Sequence, residues 1–472
     1  MGNPTLKVMD LFKKTVAEVP AYRDFLKQAG MDADKIVSFS GYQTLPLLTK
    51  ANYMQAYPLP QRCKEGNISA CDRLAVSSGS TGISTFWPRS MLNELDVALR
   101  FEQVFCQAFK ADSRPTLAVV CFPLGNWVGG VYTASCCWYL AQKGYPITVA
   151  TPGNKPEEIL RVVRELGPYF EQTVLLGYPP FVKDVIDTGI QQGMDWASRH
   201  IKMVFAGEVF SEEWRSLMGG KVGSHDYCHD TASLYGTADA GVLGNETPVS
   251  VAIRRFFSKN PGMARELFGE SRLPTLVQYD PMSRYFEVID GTLVVSGDNG
   301  VPLVRYHIAD KGGICTYQEM IAFVRERGMT KLEDYGLSQE EVIYPFPFVW
   351  VFGRADFTVS FYGANVYPEN VVVGLEQAEL SAFASGKFVM QIRHDGDGSE
   401  YLHITVELLP GIGPSAELTD KTAHSIQRHL LRLNSEFANY VPAGKQIPRI
   451  ELRAFGDHEY FPQGVKHRYT RR

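Results

Sequence analysis

From Leu117 to Ala141 the chain carries no charged side chain, a run long enough to cross a bilayer as one helix. Pro123, Gly125, Asn126, Gly129 and Gly130 interrupt its middle. A spanning helix cannot stay unbroken there, because proline lacks the backbone donor and glycine favours turns. The run therefore divides into a buried strand over Leu117–Phe122, a glycine loop, and a helix that starts near Gly130. That division predicts a soluble protein.

The neighbouring segments extend the pattern. Thr173–Leu176 and Met203–Phe205 are further short β-rich apolar runs, and Pro156–Leu166, between Leu117–Phe122 and Thr173–Leu176, has helical character. Strands alternating with helices imply an α/β fold whose helices cover mostly parallel sheets. The last part of the chain differs. Leu402, Ile404, Val406 and Leu408 alternate with His403, Thr405 and Glu407, as in a half-buried strand. Ile426, Leu430, Leu433 and Phe437 keep helical spacing along one face, and Ile450-Glu451-Leu452-Arg453 alternates again. These elements predict a small α+β domain that begins near Gly353–Asp356, beyond the irregular Tyr344-Pro345-Phe346-Pro347. A large domain over 1–353 and a small one over 354–472 suit a chain of 472 residues.

Charge and cysteine usage narrow the partners. A formal net charge of −5 gives no electrostatic reason for nucleic-acid binding. The eight cysteines contain no CxxC pair, and Cys136-Cys137 are adjacent, a pattern that suits reduced thiols in a cytoplasm. The N-terminal MGNPTLKVMDLFKK has no signal-type apolar core, and Leu6 occupies the position that myristoylation gives to Ser or Thr.

Directly after Leu74-Ala75-Val76 comes SSGSTGIST, Ser77 to Thr85. Glycine allows close backbone approach, and Ser and Thr add hydroxyls beside main-chain N–H groups, so the run suits a phosphate as well as it suits a surface loop. It lacks the lysine of the GxxxxGK[ST] loop. Further stretches follow in order: Asn126-Trp127-Val128-Gly129-Gly130, Ala206-Gly207-Glu208, Tyr235-Gly236-Thr237-Ala238-Asp239, Val304 to Asp310 (VRYHIAD), and Gly353-Arg354-Ala355-Asp356 with Gly363 to Pro368 (GANVYP). Together with VPAYRDFLKQAG and LPLLTKANYMQAYP near the start, this series resembles the adenylate-forming superfamily, in particular its phenylacetate–CoA ligase branch. The corresponding motifs there read SSGTTGKPT, GAE or GGE, YGLSE, RYRTGD and GRxDD…GxNVYP.

The resemblance implies a function. A carboxylate has no good leaving group, and transfer to AMP supplies one, so the expected first step is attack of a small acid on the α-phosphorus of ATP. Such chemistry needs donors around the phosphates and Mg²⁺ to neutralise charge. Ser77, Ser78, Gly79, Ser80, Thr81 and Gly82 would hold phosphate, with Glu208, Gly236 and Thr237 nearby. Asp239 would be the Mg²⁺ ligand. Tyr235 would stack on adenine, Asp310 would accept both ribose hydroxyls, and Arg354 would meet ribose or phosphate. Phe122, Trp127, Gly129, Gly130, Ala206 and Gly207 would form the acid pocket, with Trp138 and Tyr139 as outer candidates. The small domain would turn about Asp356 between adenylation and thioester formation, and Gly363 would line the passage for coenzyme A. The acid would be aryl or arylacetic. Alternative acceptors are an amine or a carrier protein, and the sequence leaves a homodimer open.

Three positions depart from the resembled pattern. Ile83 replaces the loop lysine, Ala238 and Asp239 replace a hydroxyl residue and a glutamate, and near the end Pro462-Gln463-Gly464-Val465-Lys466 offers Lys466 for the bridging lysine only after a one-residue slip. A disabled nucleotide-binding relative is therefore a further alternative. His225, Cys228, His229 and Asp230 look like a metal cluster, yet adjacent positions do not converge easily on one ion. Asp395-Gly396-Asp397-Gly398 reads as a hairpin turn.

Overall fold

The computed structural model describes residues 2–76, 85–90, 98–126, 128–270, 273–338, 342–352, 359–362, 364–396, 399–462 and 467–471. Strands β1 (Arg73–Val76) and β2 (Phe86–Arg89) pair antiparallel at the edge of the site. The charge-free run begins in β3 (Thr116–Val120), all five residues of which are buried. Its helix spans Val128–Gln142, two residues earlier than the glycines suggest. Gly130 lies inside it because a Cβ there would meet the Pro123 carbonyl oxygen at 2.2 Å. The next strands are β4 (Ile147–Ala150), β5 (Gln172–Gly177), β6 (Ile201–Ala206) and β7 (Thr231–Thr237). In space they run β4-β3-β5-β6-β7, every pair parallel, with helices such as Pro156–Leu166 and Pro179–Gln191 as crossovers.

From β7 the sheet continues antiparallel. Strands β8 (Gly241–Asn245), β9 (Thr275–Gln278), β10 (Tyr285–Ile289), β11 (Thr292–Gly297), β12 (Leu303–Cys315) and β13 (Phe348–Val351) extend it in the order β7-β8-β9-β13-β12-β11-β10. The result is an eleven-stranded sheet. Its parallel half carries the carboxyl-terminal strand ends where open α/β sheets bind ligands.

A smaller α+β unit follows, with the ribbon β14 (Val359–Phe361) and β15 (Ala364–Val366) and a sheet of β16 (Ala384–His394), β17 (Glu400–Leu408) and β18 (Arg449–Arg453). The helical spacing from Ile426 to Phe437 is split between two helices, because Asn434 leaves helical geometry after Leu433 and caps Ser435–Tyr440 through its side chain to Phe437 N.

The alternation in β17 is real, but its polar side is not wet. His403, Thr405 and Glu407 are buried like their apolar neighbours. Lys387 on β16 lies 3.4 Å from Glu407 and pairs with Asp184 of the crossover helix Pro179–Gln191 in the large unit. Beside it, Lys183 and Lys221 both meet Asp187 at 2.6 Å. Glu407 is thus tied through Lys387 to the large unit, whereas His403 meets Glu451 on β18 at 3.1 Å within the small one. Burial pushes the Asp184 carboxyl up to about 6 against the pull of Lys387.

Candidate functional site

The site grows from the carboxyl ends of the parallel strands. Phe122 follows β3, Tyr178 follows β5, Gly207 and Glu208 follow β6, and Tyr235 to Thr237 close β7. Gly207 turns the chain at φ +85°, and a Cβ there would meet the Tyr178 ring at 2.8 Å. The β7–β8 turn is fixed locally: the Thr237 hydroxyl accepts from Ala240 N at 3.1 Å, and Arg89 on β2 donates to the Ala238 carbonyl. Gly236 permits the close strand approach, because a Cβ there would lie 2.8 Å from Gly241 O.

Two buried carboxylates are aimed into this region by tyrosines. Tyr235 donates its hydroxyl to Asp310 Oδ2 at 2.8 Å, and Tyr306 donates to Asp239 Oδ2. Asp310 is preceded by Ala309 at φ 67°, a left-handed residue without a glycine's freedom, within a strand whose register to β11 is shifted. Such bulges turn a side chain off the regular pleat, at a cost of about 1–3 kcal/mol for the strained residue. A second left-handed residue, Arg305, sends its guanidinium to the carbonyl of Leu45 and to Glu287, and exchanges the backbone pair Leu48 N to Arg305 O and His307 N to Leu48 O with the N-terminal segment.

That pairing delivers Lys50. Thr49 caps the turn Lys50–Met54 in a reciprocal pair with Asn52, and the Lys50 ammonium stands 3.8 Å from Asp239 Oδ2. Lys50 is a charged site residue that motif reading passes over, although it lies in LPLLTKANYMQAYP; only the β12 contact reveals where it points.

Lys50, Phe122, Tyr178, Gly207, Glu208, Tyr235, Gly236, Thr237, Ala238, Asp239 and Asp310 border one cavity of about 1440 Å³. Its lining includes the polar side chains Lys50, Glu208, Thr237, Asp239 and Asp310 and the apolar or aromatic Phe101, Phe122, Val128, Tyr132, Tyr178 and Val242. Phe122 and Tyr178 meet edge to face with centroids 5.0 Å apart. The small unit closes the far side through Pro368, Val373 and the segment His467 to Arg471, and Tyr469 donates to Glu208 Oε2 at 2.7 Å.

Of the residues singled out in the sequence, Phe122, Gly129, Ala206, Gly207, Glu208, Tyr235, Gly236, Thr237, Asp239 and Asp310 line this cavity. Gly130 instead backs onto the Pro123–Leu124 backbone, and Trp138 is 46% exposed on its helix. Ser77 to Gly82, Trp127, Arg354, Asp356, Gly363 and Lys466 lie outside the described residues. The strands that flank the first of these segments do converge here: Val76 N donates to Asn126 O at 2.8 Å, and Arg89 reaches the β7–β8 turn. Asp239 fits a hard cation such as Mg²⁺, which takes one or two carboxylates and keeps several waters, because its carboxylate borders the cavity. His225, Cys228, His229 and Asp230 do not form a centre: Cys228 donates to the Tyr335 carbonyl, His229 meets Asp226, and Asp230 pairs with Lys202.

No family model and no curated protein matches the sequence. Solved structures do match. A 2-hydroxyisobutyryl-CoA ligase in the postadenylation state with R3-HIB-AMP aligns over 99% of this chain and 88% of that chain, at 14% identity and a TM-score of 0.69. The same ligase with 2-HIB-AMP gives 0.66 over 99% and 87%, at 13% identity. In the thioesterification state with 2-HIB-AMP and CoA it gives 0.54 over 99% and 88%, again at 13%. Likeness across the whole length at such low identity is a likeness of fold, and this chain shares the fold of that CoA ligase.

Proposed function

We propose that the protein activates a small carboxylic acid with ATP, forming an acyl adenylate, and passes the acyl group to the thiol of coenzyme A. The observation that carries this reading is the convergence of Asp239, Asp310, Tyr235 and Glu208 on one cavity that aromatic side chains also line. Asp310 accepts the ribose hydroxyls, and Tyr235 both orients that carboxylate and faces the base. Asp239 supplies the oxygen for Mg²⁺, which neutralises phosphate charge when bound. Ser77 to Gly82 supply donors to the phosphates, and Arg354 and Lys466 bring cations to the reacting carboxylate and α-phosphate. The acid lies against Phe101, Phe122, Tyr132 and Tyr178, a wall suited to a flat aryl or arylacetic group.

Residues 354–472 form a lid that turns about Asp356, with Gly363 beside the pantetheine passage. The better agreement with a postadenylation structure than with a thioesterification one supports a lid in the first of two orientations. The test is pyrophosphate release against a panel of acids, with and without coenzyme A. Acid-dependent release with thioester formation is the expected result. Release without thioester would move the acceptor to an amine or carrier protein, and silence with every acid despite ATP binding would refute the enzymatic reading.

A further inference from the structure

The last described segment, residues 467–471, is tied to the small unit by its backbone and to the large unit by a side chain. Met390 N on β16 donates to Tyr469 O at 2.8 Å, and Arg471 N donates to Met390 O at 3.2 Å, so the segment lies along β16 as a short parallel addition. His467 fixes its approach. The ring nitrogen Nε2 donates to Phe388 O at 2.7 Å, and because a carbonyl only accepts, that nitrogen carries the proton. Burial pushes the imidazole down to about 4, so it is neutral at neutral pH. Tyr469 meets the His467 ring edge to face with centroids 4.6 Å apart and packs on Phe388 at 5.1 Å. The phenol is thereby held on a braced strand of the small unit.

Its hydroxyl then crosses to the large unit and donates to Glu208 Oε2 at 2.7 Å. Glu208 is set from the other side by the left-handed Gly207 that follows β6, and both Glu208 and Tyr469 border the cavity. Burial, followed by the Glu208 carboxylate, raises the phenol well above its ordinary range, so it remains a donor at neutral pH. A hydroxyl that donates to a carboxylate makes a charge-assisted bond, roughly twice as strong as a neutral one. Lys387 on the same strand also crosses, to Asp184, but neither of those residues borders the cavity. Tyr469 thus couples docking of the small unit to the geometry of a residue in the site.

We propose that Tyr469 is a positioning residue for the adenylation step, acting through Glu208. Its hydroxyl holds the segment 467–471 against the end of β6 in the orientation in which ATP and the acid react. This inference rests on the ligase reading above and goes beyond it by assigning that orientation to one bond. Tyr469 rides on β16 and Glu208 on the end of β6, so a turn of the lid about Asp356 separates them. The bond therefore favours the first half-reaction and has no part in the second. It also keeps the Glu208 carboxylate engaged by a donor while a polyanionic nucleotide occupies the cavity.

The experiment separates the two half-reactions in the full chain and in Tyr469→Phe, which keeps the ring against Phe388 and His467 and removes only the hydroxyl. Acid-dependent pyrophosphate release should fall about tenfold or more, the loss expected for a hydrogen bond to a charged group. Thioester formation from coenzyme A and the synthetic adenylate of the fastest panel acid should keep the parental rate. A merely structural defect would slow both. In a Glu208→Ala background, Tyr469→Phe should add no further slowing, because the bond is already lost. Equal slowing of both half-reactions, or the full additional loss in the Glu208→Ala background, overturns the proposal. Parental release by Tyr469→Phe overturns the positioning role alone and leaves the ligase reading intact. A parent protein that releases no pyrophosphate with any acid overturns the ligase reading, and this inference with it.

Discussion

Glu376→Gln tests whether the small unit is docked by a carboxyl that has to stay neutral. Glu376 follows the helix Pro368–Leu375 and accepts a hydrogen bond from Ser211, the cap of the helix Glu212–Lys221 in the large unit. Its other oxygen, Oε1, is buried without a partner among the described residues. Burial raises this carboxyl from the ordinary 4.5 to about 8, with the Ser211 hydrogen bond opposing and Glu213 assisting. Because the docked value lies above the exposed one, the docked form binds more protons between those two pH values. Its contribution is complete below about 4.5 and is lost as pH rises to about 8. At about 1.4 kcal/mol per pH unit, the full window amounts to an order of 5 kcal/mol. A glutamine keeps the volume and the acceptor for Ser211 but has nothing to titrate. The variant should match the parent near about pH 5 and exceed it by several kcal/mol near about pH 8.5, scored by chemical denaturation and by amide exchange over Ser211–Trp214. An equal offset between the two proteins at both pH values would refute the reasoning.

Asp310→Ala should weaken ATP binding by roughly 10- to 100-fold in calorimetry, the loss expected for charged hydrogen bonds, and unaltered affinity would remove this residue from the nucleotide site. Lys50→Ala should change stability by less than about 1 kcal/mol, because the side chain is 37% exposed, and yet slow acid-dependent pyrophosphate release by about tenfold. Release at the parental rate would mean that its charge faces Asp239 without serving the reaction. Gly207→Ala places a Cβ 2.8 Å from the Tyr178 ring at φ +85°, which should cost about 1–3 kcal/mol and reshape the acid pocket, seen as a lowered melting temperature and a changed acid preference.

Much of the parallel half of the fold was legible because its signals are local. A charge-free run broken by Pro123 and glycines can only be a buried strand, a loop and a helix, and β3 with the helix Val128–Gln142 follows within two residues of that reading. Asp239 and Asp310 were also visible, since each stands inside a short motif. Lys50 was not. Its place depends on Arg305, far along the chain, adopting a left-handed backbone and binding the segment that ends at Leu48. No window of sequence contains both ends of that contact.

The polar face of β17 shows the same limit from the other side. Period-two alternation records which residues avoid the apolar core of their own unit, but it does not say what covers them. Water would leave His403, Thr405 and Glu407 exposed; instead Glu451 of β18 meets His403, and Lys387, paired with Asp184 of the second unit, meets Glu407. The two kinds of cover also differ from an apolar seam in energy. An apolar seam would gain from every contact and release reluctantly, whereas buried ion pairs return much of their mutual attraction to desolvation and come close to break-even. The contact made by Lys387, Asp184, Glu407 and Glu376 is therefore specific in register but yields a smaller net energy than the same area of apolar packing.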